Sequence, residues 1–334
     1  MRPNVTPLAL GALLAVAAGS AAAAPKYTAY VGNDQCPTND SVSTMTGAPW
    51  TLGAAVGVGS CPAGIAFAPD GAKAWVLNAG DNTITPIDAT TFAAGTPFPS
   101  QVVAPVFVKV TPNGKSLVLP GTGSAQLAII STANTASVKL VPVGATPIGV
   151  AVLPDSSAAY VGNNADGTVS VVALGANPHV VKTIAFPAPG CAPYDMAVVP
   201  DGSAVLAACT NGQLWPIDTA KNKATPAPIA IPETSGGLDV VVTPNGRTAY
   251  MSNSNGFVYP VKLSRTGSVV GTPIPVVGAF GLAMSPDGKE LMVGNGICCF
   301  VDTPVSIVST ATNAVTSTIE TPGLYAHRWL AFRP

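Results

Sequence analysis

Lys109, Tyr194, Asp195, Asp239, His327, Arg328 and Trp329 are the residues of this 334-residue chain whose types and positions could do chemistry. Each departs from a pattern of small and branched residues that recurs along the sequence. Asp195 and Asp239 could together attract a cation or accept hydrogen bonds from ligand hydroxyls. Two carboxylates held close repel, so one of them is expected to hold its proton or to recruit a metal. Trp329 offers a stacking surface, and His327 can change charge near neutral pH. Together these residues would make a polar and aromatic channel mouth for a ligand. The plainer expectation is that Asp195, Asp239, Lys109 and Arg328 pair with one another, cap backbone amides, or contact channel water.

The elements that must position these residues are legible as a repeat. Six apolar runs close on proline and a turn: AFAPDG, KVTPNG, AVLPDS, AVVPDG, VVTPNG and AMSPDG. The prolines are Pro69, Pro112, Pro154, Pro200, Pro244 and Pro286, spaced by 43, 42, 46, 44 and 42 residues. Pro-Asp-Gly and Pro-Asn-Gly suit tight turns because proline presets φ and glycine tolerates positive φ. A strand of small and branched residues precedes each turn and a second follows it, as in KAWVLN, AAYVGN, TAYMSN and ELMVGN. Third and fourth strands complete each repeat, with no amphipathic helix between them. Four short strands at this period predict an all-β propeller of four-stranded antiparallel blades. A β-sandwich gives no reason for one turn at near-constant spacing.

Six complete blades run from about residue 60 to 323. The last run stops at Pro334 and supplies only an innermost strand. Residues 26–59 hold what it lacks: KYTAYVGND as second strand, SVSTMT as third and WTLGAAVGVG as fourth. A composite seventh blade, pairing the C-terminal strand with the N-terminal strands, would remove the open edge. The stretch PIGVAVLPDSSAAYVGNNADGTVSVV resembles the YVTN-type β-propeller repeat, the group that includes YncE-like periplasmic proteins. YVGN stands at Tyr30 and again at Tyr160. The resemblance covers nearly all of the mature chain and implies the architecture more than a function, since propellers host enzymes, electron-transfer modules and binding scaffolds alike.

Composition narrows the classes. The formal charge is −1 and charged residues are 9% of the chain, so there is no basic field to gather nucleic acid or anionic lipid. Residues 1–24, with Arg2, an apolar stretch and a small-residue end, read as a secretory signal peptide cleaved after Ala23 or Ala24. Residues 25–334 are then one propeller domain, expected to be a soluble monomer in the periplasm or outside the cell. No cysteine near the cleavage site offers a lipid anchor, and no later segment reads as a transmembrane helix.

Six cysteines in an exported chain predict disulfides. All six fall on the channel-mouth face. Cys191–Cys209 is the best pair, because the start of one antiparallel strand lies beside the end of its neighbour. Cys36–Cys61 would staple the closing blade to the first, leaving Cys298–Cys299, although a link from Cys36 to Cys298 or Cys299 stays open. A metal site is disfavoured by two histidines and no CxxC.

Asn33, Asn78, Asn163, Asn164, Asn253 and Asn295 invite thoughts of carbohydrate or calcium, but tight loops use asparagine for local hydrogen bonds. There is no GxSxG elbow and no HExxH, and no catalytic residue or cofactor is expected. The leading expectation is a binding scaffold that engages an unknown protein or small-molecule ligand. A lactonase-type propeller hydrolase is the enzymatic alternative, and a structural surface-associated protein, favoured by a mean hydropathy of +0.42, is the third.

Overall fold

The computed structural model describes residues 27–33, 40–47, 49–188, 190–232, 236–264, 267–296, 304–321 and 329–334. Every regular element among them is a β-strand, grouped into seven antiparallel sheets. Contacts pass from each innermost strand to the next and return from the last sheet to the first, which closes a ring of seven blades. In chain order the innermost strands are Pro62–Phe67 in blade 1, Lys109–Val110 in blade 2 and Pro147–Val152 in blade 3. Blades 4, 5 and 6 follow with Pro193–Val198, Gly237–Val242 and Ala279–Met284.

Blade 7 is the composite one. Leu330–Phe332 pairs antiparallel with Thr28–Asn33, with Val31 opposite Leu330, Tyr30 opposite Ala331 and Ala29 opposite Phe332. Ser41–Thr46 and Thr51–Gly57 complete its sheet. Second strands such as Thr28–Asn33, Lys73–Asn78 and Ala158–Asn163 are buried on both faces, between neighbouring blades. Outer strands such as Thr51–Gly57 and Ala314–Ile319 are largely exposed, which accounts for their smaller and more polar residues. In blades 1 and 5 the outer strand is split in two, at Gly95-Thr96-Pro97 and Gly271-Thr272-Pro273, because proline brings no N–H to the ladder.

The turns behave as their residues require. Gly71, Gly114, Gly202, Gly246 and Gly288 have φ between 67° and 73°. In blade 3, where serine replaces glycine, Ser156 takes φ 61°. A Cβ on Gly114, Gly202, Gly246 or Gly288 would lie 2.8–3.6 Å from Cδ of the preceding blade's turn proline. The turn face is thus a ring of glycines packed on prolines. Pro334 and Arg333 fill the same place against Gly71. Arg333 Nε donates to Gly71 O at 2.8 Å and Nη1 to Ala89 O at 2.9 Å, so one side chain ties blade 7 to blade 1.

The second-strand tyrosines show where the repeat is imperfect. Tyr160 Oη donates to Asn222 Oδ1, and Tyr250 Oη to Asn313 Oδ1, each in the following blade. Both asparagines sit at positive φ, 47° and 53°. Burial pushes the Tyr160 and Tyr250 phenols up to about 12. Tyr30 is equally buried and its phenol is also pushed up to about 12, but Phe92 stands near it at φ 54° and its hydroxyl has no partner among the described residues.

Two substitutions test this account. Arg333→Ala removes two charged hydrogen bonds across the closing joint and should cost roughly 2–3 kcal/mol in urea unfolding; an unchanged midpoint would mean the joint does not depend on them. Phe92→Asn supplies the acceptor that Tyr30 lacks and relieves a side chain at positive φ, so Tm should rise. A fall in Tm would show that the Tyr30–Phe92 ring contact at 5.1 Å outweighs both effects.

Candidate functional site

The channel mouth is built by irregular pairing. In blades 1, 3, 5 and 6 the innermost strand slips against the second strand between the first and fourth residues, and in blade 4 between Pro193 and Asp195. Such bulges re-aim side chains at a sheet rim. Tyr194, Asp195, Leu238, Asp239 and Phe280 lie in or beside these slips. At the matching place in blade 3, a Cβ on Gly149 would stand 2.6 Å from the Asp195 Cα, so blades 3 and 4 touch backbone to backbone.

Four aromatic rings from blades 2, 4, 6 and 7 meet across the mouth. Phe107 contacts Tyr194 at 6.1 Å, Tyr194 contacts Phe280 at 6.1 Å, Phe280 contacts Trp329 at 6.2 Å and Trp329 contacts Phe107 at 5.1 Å. The interplanar angles run from 73° to 88°, so every contact is edge-to-face, the arrangement the ring quadrupoles favour. Phe107 and Trp329 are buried, whereas Tyr194 and Phe280 are partly exposed. The circuit caps the channel. Tyr194 and Trp329 stand out in the sequence; Phe107 and Phe280 occupy the same aligned columns but read as ordinary apolar residues there.

Asp195 and Asp239 follow on adjacent blades. Asp195 is 1% exposed, and its Oδ2 accepts from the Val240 N–H at 3.3 Å while Oδ1 has no hydrogen-bond partner. Asp239 Oδ2 accepts from the Leu282 N–H at 2.7 Å, and the Asp239 N–H donates to Ser252 Oγ at 3.1 Å. Each carboxyl therefore reaches the backbone of the next blade, as the amide-capping alternative requires. Burial, and then the neighbouring Asp239, push the Asp195 carboxyl well above the usual carboxylate range, while Lys109 pulls in the opposite direction. The site favours a neutral acid at Asp195.

Lys109 lies farther along the channel and is exposed. It borders a cavity of about 280 Å³ on the turn side, shared with Val110, Ala151, Ala197, Val241 and Met284. Trp329 joins the aromatic circuit; His327 and Arg328, just before it in sequence, lie outside the described residues.

The Cys191–Cys209 disulfide is present in blade 4, with Cα atoms 5.3 Å apart. Together with the Thr210 N–H bonded to Ala192 O at 3.0 Å, it pins the segment that enters Tyr194 and Asp195. Cys61 is also disulfide-bonded, whereas Cys36, Cys298 and Cys299 lie outside the described residues, as do the Cys36–Cys61 and Cys298–Cys299 expectations.

Five of the six asparagines are committed to the scaffold. Asn33, Asn78 and Asn163 end second strands and donate Nδ2 to pairs of Ser or Thr hydroxyls on the third strand at 2.8–3.0 Å. Asn164 and Asn295 donate to the carbonyls of Pro193 and Val277. Among the described residues no cluster of three or more His, Cys, Asp or Glu could hold a metal, and no helix is long and apolar enough to cross a membrane.

No protein-family model and no curated protein matches the chain. Solved structures do. A functionally unknown protein from Desulfotomaculum acetoxidans is 14% identical, with 92% of this chain and 98% of that one covered and a TM-score of 0.77. A Bacteroides uniformis protein provisionally named a 6-phosphogluconolactonase is 12% identical over 92% and 99%, with a TM-score of 0.76. Hydrazine synthase from Kuenenia stuttgartiensis is 21% identical over 82% and 90%, with a TM-score of 0.72. The likeness is one of fold. The narrower YVTN-type resemblance finds no family model to match it.

The Asp195 environment generates a pH prediction. Its folded-state pKa is raised above the unfolded value near 3.9, so the stability linked to its proton is fully present below that value and is lost as pH rises through the folded pKa. Asp88, Asp155 and Asp218 are held low, first by hydrogen bonds from Thr91, Ser157 and Lys221 respectively, and their contribution disappears only in acid. A series from about pH 5 to 8 isolates Asp195. Asp195→Asn, which mimics the neutral acid, should gain in stability relative to wild type as pH rises across that range. Parallel curves would show that Asp195 ionises in the folded state as it does in the unfolded one.

Proposed function

We propose that the protein is an exported binding scaffold of the YVTN type, with a signal peptide ending near residue 24 and a monomeric propeller that engages a ligand or partner at the channel mouth. The observation that carries this reading is the aromatic circuit of Phe107, Tyr194, Phe280 and Trp329, two of whose rings are partly exposed. Rigid aromatic surface beside a few polar groups is typical of ligand sites. Tyr194 brings a phenol to the mouth, and the backbone under it is pinned by the disulfide. His327 and Arg328 precede Trp329 in sequence and would add charge at this rim. The disulfide also fits export to an oxidising compartment.

A lactonase-type hydrolase is the second reading, favoured by the paired carboxyls near the channel and by a fold neighbour that carries such a provisional name. Against a calcium-dependent form, Glu290 is bonded to Trp50 Nε1 and Glu320 is exposed, leaving few carboxylates to converge with Asp195 and Asp239.

A thermal-shift screen of the purified protein against sugars, peptidoglycan fragments, lactones and metal ions separates the readings. The scaffold reading expects a compound that stabilises wild type but not the Tyr194→Leu/Phe280→Leu variant. Equal stabilisation of both would place binding elsewhere. Lactone consumption by wild type that is lost in Asp195→Asn/Asp239→Asn would make the protein an enzyme.

A further inference from the structure

The aromatic circuit covers one end of the channel, and a cavity lined by described residues lies toward the other. It occupies about 280 Å³ and is walled by residues from blades 2 to 6, with the turn proline Pro112 among them. That is the volume of about nine liquid waters. Its lining side chains are apolar with one exception, since Lys109 is the only charged residue among them. At the aligned position the other blades carry Ala66, Ala151, Ala197, Val241, Ala283 and Ala331. A cation in one blade of seven is not required by the repeat.

We propose that this turn-face cavity binds a small amphipathic carboxylate, with the carboxylate on Lys109 Nζ and an apolar tail among the valine side chains and Met284. The size fits about ten non-hydrogen atoms, the scale of a medium-chain fatty acid. A single cation on an apolar wall suits one anionic head; a phosphate or dicarboxylate would call for a second. Met284, partly exposed on the wall, can adapt to the shape of a tail, while the buried Met196 is part of the rigid backing. An apolar cavity gains little from water and much from an apolar guest.

Lys109 is available for this role. The ion pairs among the described residues are Lys221–Asp218 and Lys289–Asp287, and neither involves Lys109. The Lys109 charge reaches the Asp195 carboxyl, whose burial nonetheless favours the neutral form. Asp239 already accepts the Leu282 N–H. Lys109 is exposed and lines the cavity, so it can meet an incoming anion without first breaking an internal bond.

Titration calorimetry with sodium octanoate tests the site, using octan-1-ol as the uncharged control. Wild type should bind octanoate, and Lys109→Met should bind it at least about tenfold more weakly, while octan-1-ol should bind both proteins alike. Octanoate should also slow acetylation of Lys109 by acetic anhydride, read by peptide mass. Absence of octanoate binding at millimolar concentration, equal affinity in Lys109→Met, or unprotected Lys109 would each overturn the proposal. The Tyr194→Leu/Phe280→Leu variant should keep octanoate binding. Loss of binding in that variant would move the site to the mouth and overturn the turn-face assignment, so this test stands apart from the scaffold reading.

Discussion

The antiparallel pairing of Leu330–Phe332 with Thr28–Asn33 is the constraint on which the rest of the molecule depends. Seven sheets that pack only on their neighbours make a ring if the last meets the first, and otherwise leave two exposed flanks. Here the joint has backbone hydrogen bonds, Phe332 in edge-to-face contact with Tyr27 and Trp50, and Arg333 reaching into blade 1. Closure also fixes the channel. Because Trp329 immediately precedes the closing strand, the same joint that completes the ring brings the last aromatic residue to Phe107 and Phe280.

Around that channel the molecule has two unlike ends. The turn face is nearly periodic, with glycine stacked on the preceding proline from blade to blade. The mouth is aperiodic. Its bulges recur in blades 1, 3, 4, 5 and 6, but its aromatic circuit and its stapled blade 4 are departures that no requirement of folding repeats in every blade. Lys109 is the departure on the other side, and the buried Asp195 lies between the two ends.

Much of this was open to inspection in the residues themselves. The turn prolines and glycines are dictated by φ, so their spacing reveals the blades, and YVGN at Tyr30 reveals where the composite blade begins. Cys191 and Cys209 could be paired because neighbouring antiparallel strands bring their opposite ends together. The aromatic circuit was only half visible. Phe107 and Phe280 stand in the right columns, but a phenylalanine in a strand is ordinarily core, and nothing in one dimension says that blades 2 and 6 face each other across an axis. Asp195 and Asp239 read in the sequence as carboxylates near a channel, yet their use of Val240 and Leu282 N–H groups follows from packing between blades. Likewise, aligned columns single out Lys109 without saying at which end of the channel space is left.

The position of the Cys191–Cys209 bond carries a consequence for how the protein is made. The ring holds by strand pairing, and the Thr210–Ala192 backbone bond flanks the sulfurs without needing them. A chain folded in a reducing cytoplasm can pair the same strands while losing the covalent tie beneath Tyr194 and Asp195, and the Cys61 disulfide with it. Such material would pass tests of size, secondary structure and cooperative melting. It would still be an altered reagent at the mouth, so the history of the preparation becomes part of the structure being assayed.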